Sequence, residues 1–272
     1  MRSIGWGRVA AMWGVSVLVL CGRASAQLAE FYVGIDSRSA PFTAPVADGG
    51  GNYPDNPNLG RLTLLYQHGD HYHGLGAYRY LGSAASPTLE DTNANNRVPE
   101  ISTGQLPLAL VAGNGVYAGK YVTSHLEGVE YSDLEMRNVQ SLDGVEDVLF
   151  HSSADRWSGA FDAADVHLEL LSVSSPQLNV GSLTDPAALP VGGDAHGGEG
   201  SELFSFTPVL WVEAAAPAGN YWAEFRLVDE SGTYGDSGRF FIDVRHVVPE
   251  PASLAMILGG VSIVGLNLRR RS

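Results

Sequence analysis

"RLTLLYQHGDHYHG", Arg61 to Gly74, is the stretch whose reading decides the fold. Leu62, Leu64 and Tyr66 alternate with Arg61, Thr63 and Leu65, the period of two that belongs to a strand. Gly69-Asp70 then interrupts the run with glycine first, which suits a two-residue type II′ hairpin turn. In that register His68 faces His71 and Tyr66 faces His73. Side chains two apart share a face, so His68, His71 and His73 are predicted on one side of a hairpin tip. Neighbouring Cβ atoms would lie roughly 5 Å apart. If the strand instead ran straight through Gly69, His71 and His73 would still share a face.

Outward from this hairpin, other segments repeat the pattern. Leu28 to Ile35, "DVHLELLSV" (Asp165–Val173), "SELFSFTPVLWVEA" (Ser201–Ala214) and "GRFFIDVRHVV" all read as strands. "GNYWAEFRLVD" sets Tyr221, Ala223, Phe225 and Leu227 against Trp222, Glu224 and Arg226. Gly, Pro, Asn and Asp clusters separate them, and no long amphipathic helix is evident. The expected fold is all-β, an antiparallel β-sandwich of Ig-like or jelly-roll-like type. Two stretches, Ser37–Gly60 and Ser83–Ser102, are predicted as long loops. No tandem repeat is visible.

The two ends carry transport signals. Residues 1–26 begin with Arg2 and Arg8, continue through an apolar run from Val9 to Leu20, and close on Ala24-Ser25-Ala26. That order predicts a signal helix removed by signal peptidase before Gln27. Residues 249–272 open with Pro249-Glu250-Pro251, continue through an uncharged apolar run, Leu254–Leu268, and finish on Arg269, Arg270 and Arg271. The run is a short transmembrane helix by composition, below the roughly 20 residues of a comfortable span, with arginines on the cytoplasmic side. The remaining 27–248 form the ectodomain.

The order proline–acid–proline, apolar span and arginine cluster resembles the PEP-CTERM sorting signal. The resemblance implies a Gram-negative bacterium, an inner-membrane-anchored precursor and processing by exosortase. The product would reach the cell surface or extracellular matrix.

Trimming both ends leaves 10 basic against 29 acidic side chains, a net −19. Such a surface attracts cations and repels nucleic acid, so no nucleic-acid partner is expected. The only cysteine, Cys21, lies in the signal segment. The ectodomain therefore has no disulfide, thiolate metal site or cysteine nucleophile.

Three of the chain's eight histidines fall between His68 and His73. Clustered neutral imidazoles suit a divalent transition ion, zinc first, with copper and nickel as alternatives. A turn with surface histidines that merely protonate near neutral pH is the competing explanation. A fourth ligand is sought in the glycine-rich "GGDAHGGEGSE" (Gly192–Glu202), with His196 first and Glu199 second. His125, His151, His167 and His246 are expected to be structural or solvent-facing.

"EFYVGIDSR", the hairpin stretch, the glycine–histidine loop and "PAGNYWAEFRLVDESGTYGDSGRFFIDV" resemble the zinc-uptake-regulator (Zur)-repressed PEP-CTERM surface proteins. That resemblance implies synthesis under zinc scarcity and a role in binding extracellular zinc, without an enzyme activity. "GDSG" (Gly235–Gly238) coincides with a protease nucleophile motif, but no triad can be assembled around Ser237. No P-loop, Rossmann or helical zinc-protease pattern occurs. A metal-dependent hydrolase and an adhesive matrix protein are the rival readings.

Overall fold

The computed structural model describes residues 28–39, 42–44, 51–53, 55–200 and 203–247. The signal segment and the sorting tail, including Pro249, Glu250, Pro251 and Arg269–Arg271, lie outside them. Among the described residues, no helix is long and apolar enough to cross a membrane.

Among the described residues, strand is the predominant regular structure. In order these are β1 (Phe31–Ile35), β2 (Phe42–Ala44), β3 (Gly51–Tyr53), β4 (Leu62–His68), β5 (His71–Leu75), β6 (Arg79–Ser83), β7 (Ser86–Glu90), β8 (Arg97–Val98), β9 (Leu108–Ala109) and β10 (Val111–Ala112). There follow β11 (Lys120–Val122), β12 (Met136–Asn138), β13 (Asp165–Val173), β14 (Asn179–Gly181), β15 (Asp194–Glu199), β16 (Ser205–Phe206), β17 (Val209–Glu213), β18 (Gly219–Asp229) and β19 (Phe240–His246). Among the described residues, helix is confined to short turns such as α1 (Asp147–Phe150).

Three larger sheets share one apolar core. Their strand orders are β16-β12-β1-β4-β5, β15-β13-β18-β19-β8 and β10-β11-β17-β14, while β2–β3 and β6–β7 form separate hairpins. Phe31 and Leu64 from the first sheet, Leu168, Phe225 and Ile242 from the second and Leu210 from the third belong to that core. In β13 the buried residues are Val166, Leu168 and Leu170, and the outward ones His167 and Glu169. β19 buries Phe240, Ile242 and Val244 in the same way. The period-two readings of these two strands therefore hold; β18 buries Tyr221, Ala223, Phe225 and Leu227 as expected, but Glu224 on its other face is buried as well.

β4 departs from the expected alternation. Leu62 to Tyr66 are all buried, so Thr63 and Leu65 are covered as well as Leu62 and Leu64. β4 lies between β1 and β5, and its second face is roofed by Trp157. Gly34 makes the close approach possible. A Cβ there would stand 2.8 Å from Leu65 Cδ1 and 3.4 Å from Trp157 Cβ.

Four further expectations are corrected. Two of the three larger sheets are mixed rather than purely antiparallel, because β1 pairs β12 in parallel and β19 pairs β8 and β9 in parallel, while β10-β11-β17-β14 is antiparallel throughout. These partners are short segments laid along longer strands by long connections, which permit either direction. Ser201–Ala214 is not one strand: it breaks at Thr207-Pro208, with β16 in one sheet and β17 in another. Proline offers no N–H to a ladder and restricts the residue before it. The two supposed long loops contain the β2–β3 hairpin and β7, which pairs with β6. The first strand starts at Phe31 rather than Leu28.

Candidate metal centre

The centre is the tip of the β4–β5 hairpin. Tyr66 pairs with His73, Gln67 with Tyr72 and His68 with His71, the register the turn chemistry predicts. Gly69 has φ +64°, which glycine adopts without a Cβ penalty, and Asp70 is not among the positive-φ residues. That combination is the one a type II′ turn requires. His68 and His71 are exposed and His73 is half-buried.

The three imidazoles converge. Ring centroids are separated by 5.4 Å (His68–His71), 5.1 Å (His68–His73) and 5.2 Å (His71–His73). One ring nitrogen from each lies within 4.8 Å of the others. His71 Nε2 and His73 Nε2 are 3.2 Å apart. Two nitrogens bound to one tetrahedral zinc ion at about 2.0–2.1 Å stand roughly 3.3 Å apart. The hairpin thus holds this pair at close to the edge length of a coordination tetrahedron.

A buried set of polar groups orients the inner ligand. His73 Nδ1 lies 2.7 Å from Glu100 Oε2. The Tyr131 hydroxyl donates to the same oxygen at 2.9 Å, and Glu100 is buried. The Tyr131 ring stacks on Tyr66, 4.0 Å between centroids, and Tyr66 presents an edge to His73 at 6.2 Å. Burial, and then the hydrogen bond to Glu100, raise the Tyr131 hydroxyl well above the ordinary phenol value, so it remains a donor. With the Glu100 carboxylate accepting, the hydrogen of His73 belongs on Nδ1 and the lone pair on Nε2. Carboxylate–histidine pairs of this kind fix the tautomer of metal-binding imidazoles and raise their basicity. On the outer side, Asp70 Oδ1 stands 3.2 Å from His71 Nδ1.

Acidic groups also lie beneath the tip. Burial pushes Glu30 up to about 7, and the charges of Glu130, Glu30 and Glu100 add to the burial that raises Tyr66. The charges of Glu130 and Glu100 favour a cation at the tip.

The other sequence-predicted ligands are elsewhere. His196 and Glu199 stand on β15, and the ring of His196 faces His167 at 5.1 Å. β15 and β8 are opposite edges of the six-stranded sheet, and Glu100 follows β8. Four strand spacings, roughly 19 Å, separate those edges. His196 is therefore not brought to the hairpin. Within the segment expected to be an adaptable loop, Asp194–Glu199 is a strand, paired with β13, and its glycines make room for aromatic rings. A Cβ at Gly198 would lie 2.3 Å from Phe204 Cβ, and one at Gly197 2.9 Å from Phe206 Cε1. Glu199 is exposed and pairs in register with Asp165.

Of the remaining histidines, His151 bonds Asp155 at 2.6 Å and His125 lies 3.9 Å from Asp133. His246 is buried against Tyr121. Ser237 is buried too. Its hydroxyl accepts from the Leu227 N–H and donates to the Gly238 carbonyl, a structural use of the "GDSG" segment. Glu100 and Tyr131 escaped the sequence reading. Neither has a local pattern, and both reach His73 only through long-range contacts.

Residues 247–271 match the PEP-CTERM protein-sorting motif. This motif marks an exported protein that exosortase processes for sorting to the cell surface. No curated protein and no solved structure matches the chain.

Proposed function

We propose that this exported surface protein captures or buffers a divalent transition metal, zinc first, through His68, His71 and His73. The carrying observation is the convergence of three ring nitrogens within 4.8 Å, with His73 oriented by the buried Glu100. The ectodomain is read as a β-sandwich that holds the hairpin tip out to solvent. Solvent water or a group from another molecule completes the ion's shell, since His196 and Glu199 do not reach the tip.

The function is binding rather than catalysis. His68 and His71 are open to solvent, and clefts of about 510, 230 and 210 Å³ among the described residues are lined by residues other than the three histidines of the tip. The resemblance to Zur-repressed PEP-CTERM proteins supports the same reading, with synthesis when zinc is scarce. Before processing, the apolar tail anchors the precursor in the inner membrane.

Calorimetric titration of the purified protein with zinc tests this. His71→Ala/His73→Ala is expected to remove one bound equivalent, and Glu100→Gln to weaken that equivalent roughly 10- to 100-fold. An unchanged isotherm for the double variant would reject the site.

A further inference from the structure

Two of the five histidines left over from the hairpin, His167 and His196, form a second constellation at the β15 edge of the six-stranded sheet, a different sheet from the one that carries the hairpin. Asp165 and His167 are two apart in β13, so they share a face. His167 pairs in register with His196 of edge strand β15, after a register shift between Val166 and His167. Three ligand-bearing side chains are thereby placed on one surface by strand pairing alone. The Glu230 N–H donates to the Asp165 carbonyl at 2.9 Å, which brings a further carboxylate alongside. Asp229 secures this corner by accepting from the Asp165 and Tyr234 N–H groups at 2.8 and 2.7 Å.

The ligand atoms converge as they do at the hairpin. Asp165 Oδ1 lies 3.0 Å from His167 Nε2 and 3.3 Å from His196 Nε2. These three atoms meet within 4.8 Å. Glu230 Oε2 is 3.7 Å from the same His167 nitrogen. On the far side of that ring, Asp194 Oδ2 lies 2.5 Å from Nδ1. Asp194 therefore does for His167 what Glu100 does for His73: it holds the hydrogen on Nδ1 and turns the Nε2 lone pair toward the cluster.

We propose that this edge is a second divalent-metal site, with His167 Nε2, His196 Nε2 and Asp165 Oδ1 as ligands, Glu230 closing the shell and Asp194 positioning His167. A cation there offsets the repulsion of three carboxylates gathered around two imidazoles. The mixed nitrogen and oxygen set suits zinc and also accepts harder ions such as manganese better than three imidazoles do. Two sites on different sheets give the chain a capacity of two ions. The inference stands apart from the hairpin reading, since the two share no residue.

Zinc chloride is titrated calorimetrically into the full chain in detergent, for wild type and three variants. These are His71→Ala/His73→Ala, His196→Ala and the triple combination. His196 is suited to replacement because its side chain is 51% exposed, against 11% for His167. Expected are two equivalents for wild type, one for each of the first two variants and none for the triple. Asp194→Asn in the hairpin-deficient background should keep one equivalent but weaken it roughly 10- to 100-fold. It carries the test if His196→Ala fails to melt like wild type. The second site is overturned if His71→Ala/His73→Ala binds no zinc, or if its remaining ion is indifferent to both His196→Ala and Asp194→Asn. Binding that is lost with His196→Ala alone and untouched by the hairpin variant would uphold this site and remove the other.

Discussion

Glu30 shows how a single side chain records its surroundings. It accepts the Asp133 N–H at 3.1 Å, which favours the charged form, yet burial outweighs that bond and lifts its carboxyl to about 7. An acid whose folded pKa is raised contributes stability below its unfolded value, near 4.5, and loses it as pH rises through about 7. Glu30→Gln keeps an acceptor for Asp133 and removes the charge. It should flatten stability between pH 4.5 and 7 and leave the variant more stable above pH 7 by on the order of 1 kcal/mol, after screening. Urea melts at pH 5 and pH 8 measure this, and an equal wild-type-minus-variant difference at both pH values would contradict it. Nothing in "LAEFY" signals such a burial, because the groups that surround Glu30 come from residues near 125–133.

At the scale of an element, the β4–β5 hairpin was legible almost in full. Its register follows from one dipeptide, Gly69-Asp70, and from side chains that alternate on either side of it. Gly69 has open space around its missing Cβ, so its contribution is conformational rather than steric. Gly69→Ala should cost roughly 1–2 kcal/mol from the positive φ alone. It should also weaken zinc at the tip, because a relaxed turn parts His68 from His71. Paired denaturation and zinc titrations check both effects. Loss of stability with unchanged hairpin zinc affinity would show that the turn does not set the cluster. By contrast, Gly192–Glu202 reads locally as a flexible loop, and the strand at Asp194–Glu199 within it comes from pairing with β13 and from Phe204 and Phe206 packed against its glycines.

Across the whole molecule, the packing of sheets and the roof over β4 determine what a strand-by-strand reading cannot. Trp157 closes the face formed by Thr63, Leu65 and Gly74, although it follows Gly74 by 83 residues in the sequence. Trp157→Ala should destabilise the fold by about 3–5 kcal/mol and lower the urea midpoint accordingly. A change below about 1 kcal/mol would mean that the roof is not part of the cooperative core. The sequence by itself determined the β class, the hairpin register, the shared face of His68, His71 and His73, and the sorting signal at the C-terminus. Each of these rests on local periodicity, local turn chemistry or a contiguous motif. Only the tertiary structure decided that Glu100 stands behind His73, 27 residues on, and that His196 belongs with His167 and Asp165 at the far edge of another sheet. Those partnerships arise from strand order and sheet packing, which the spacing of residues along the chain does not encode.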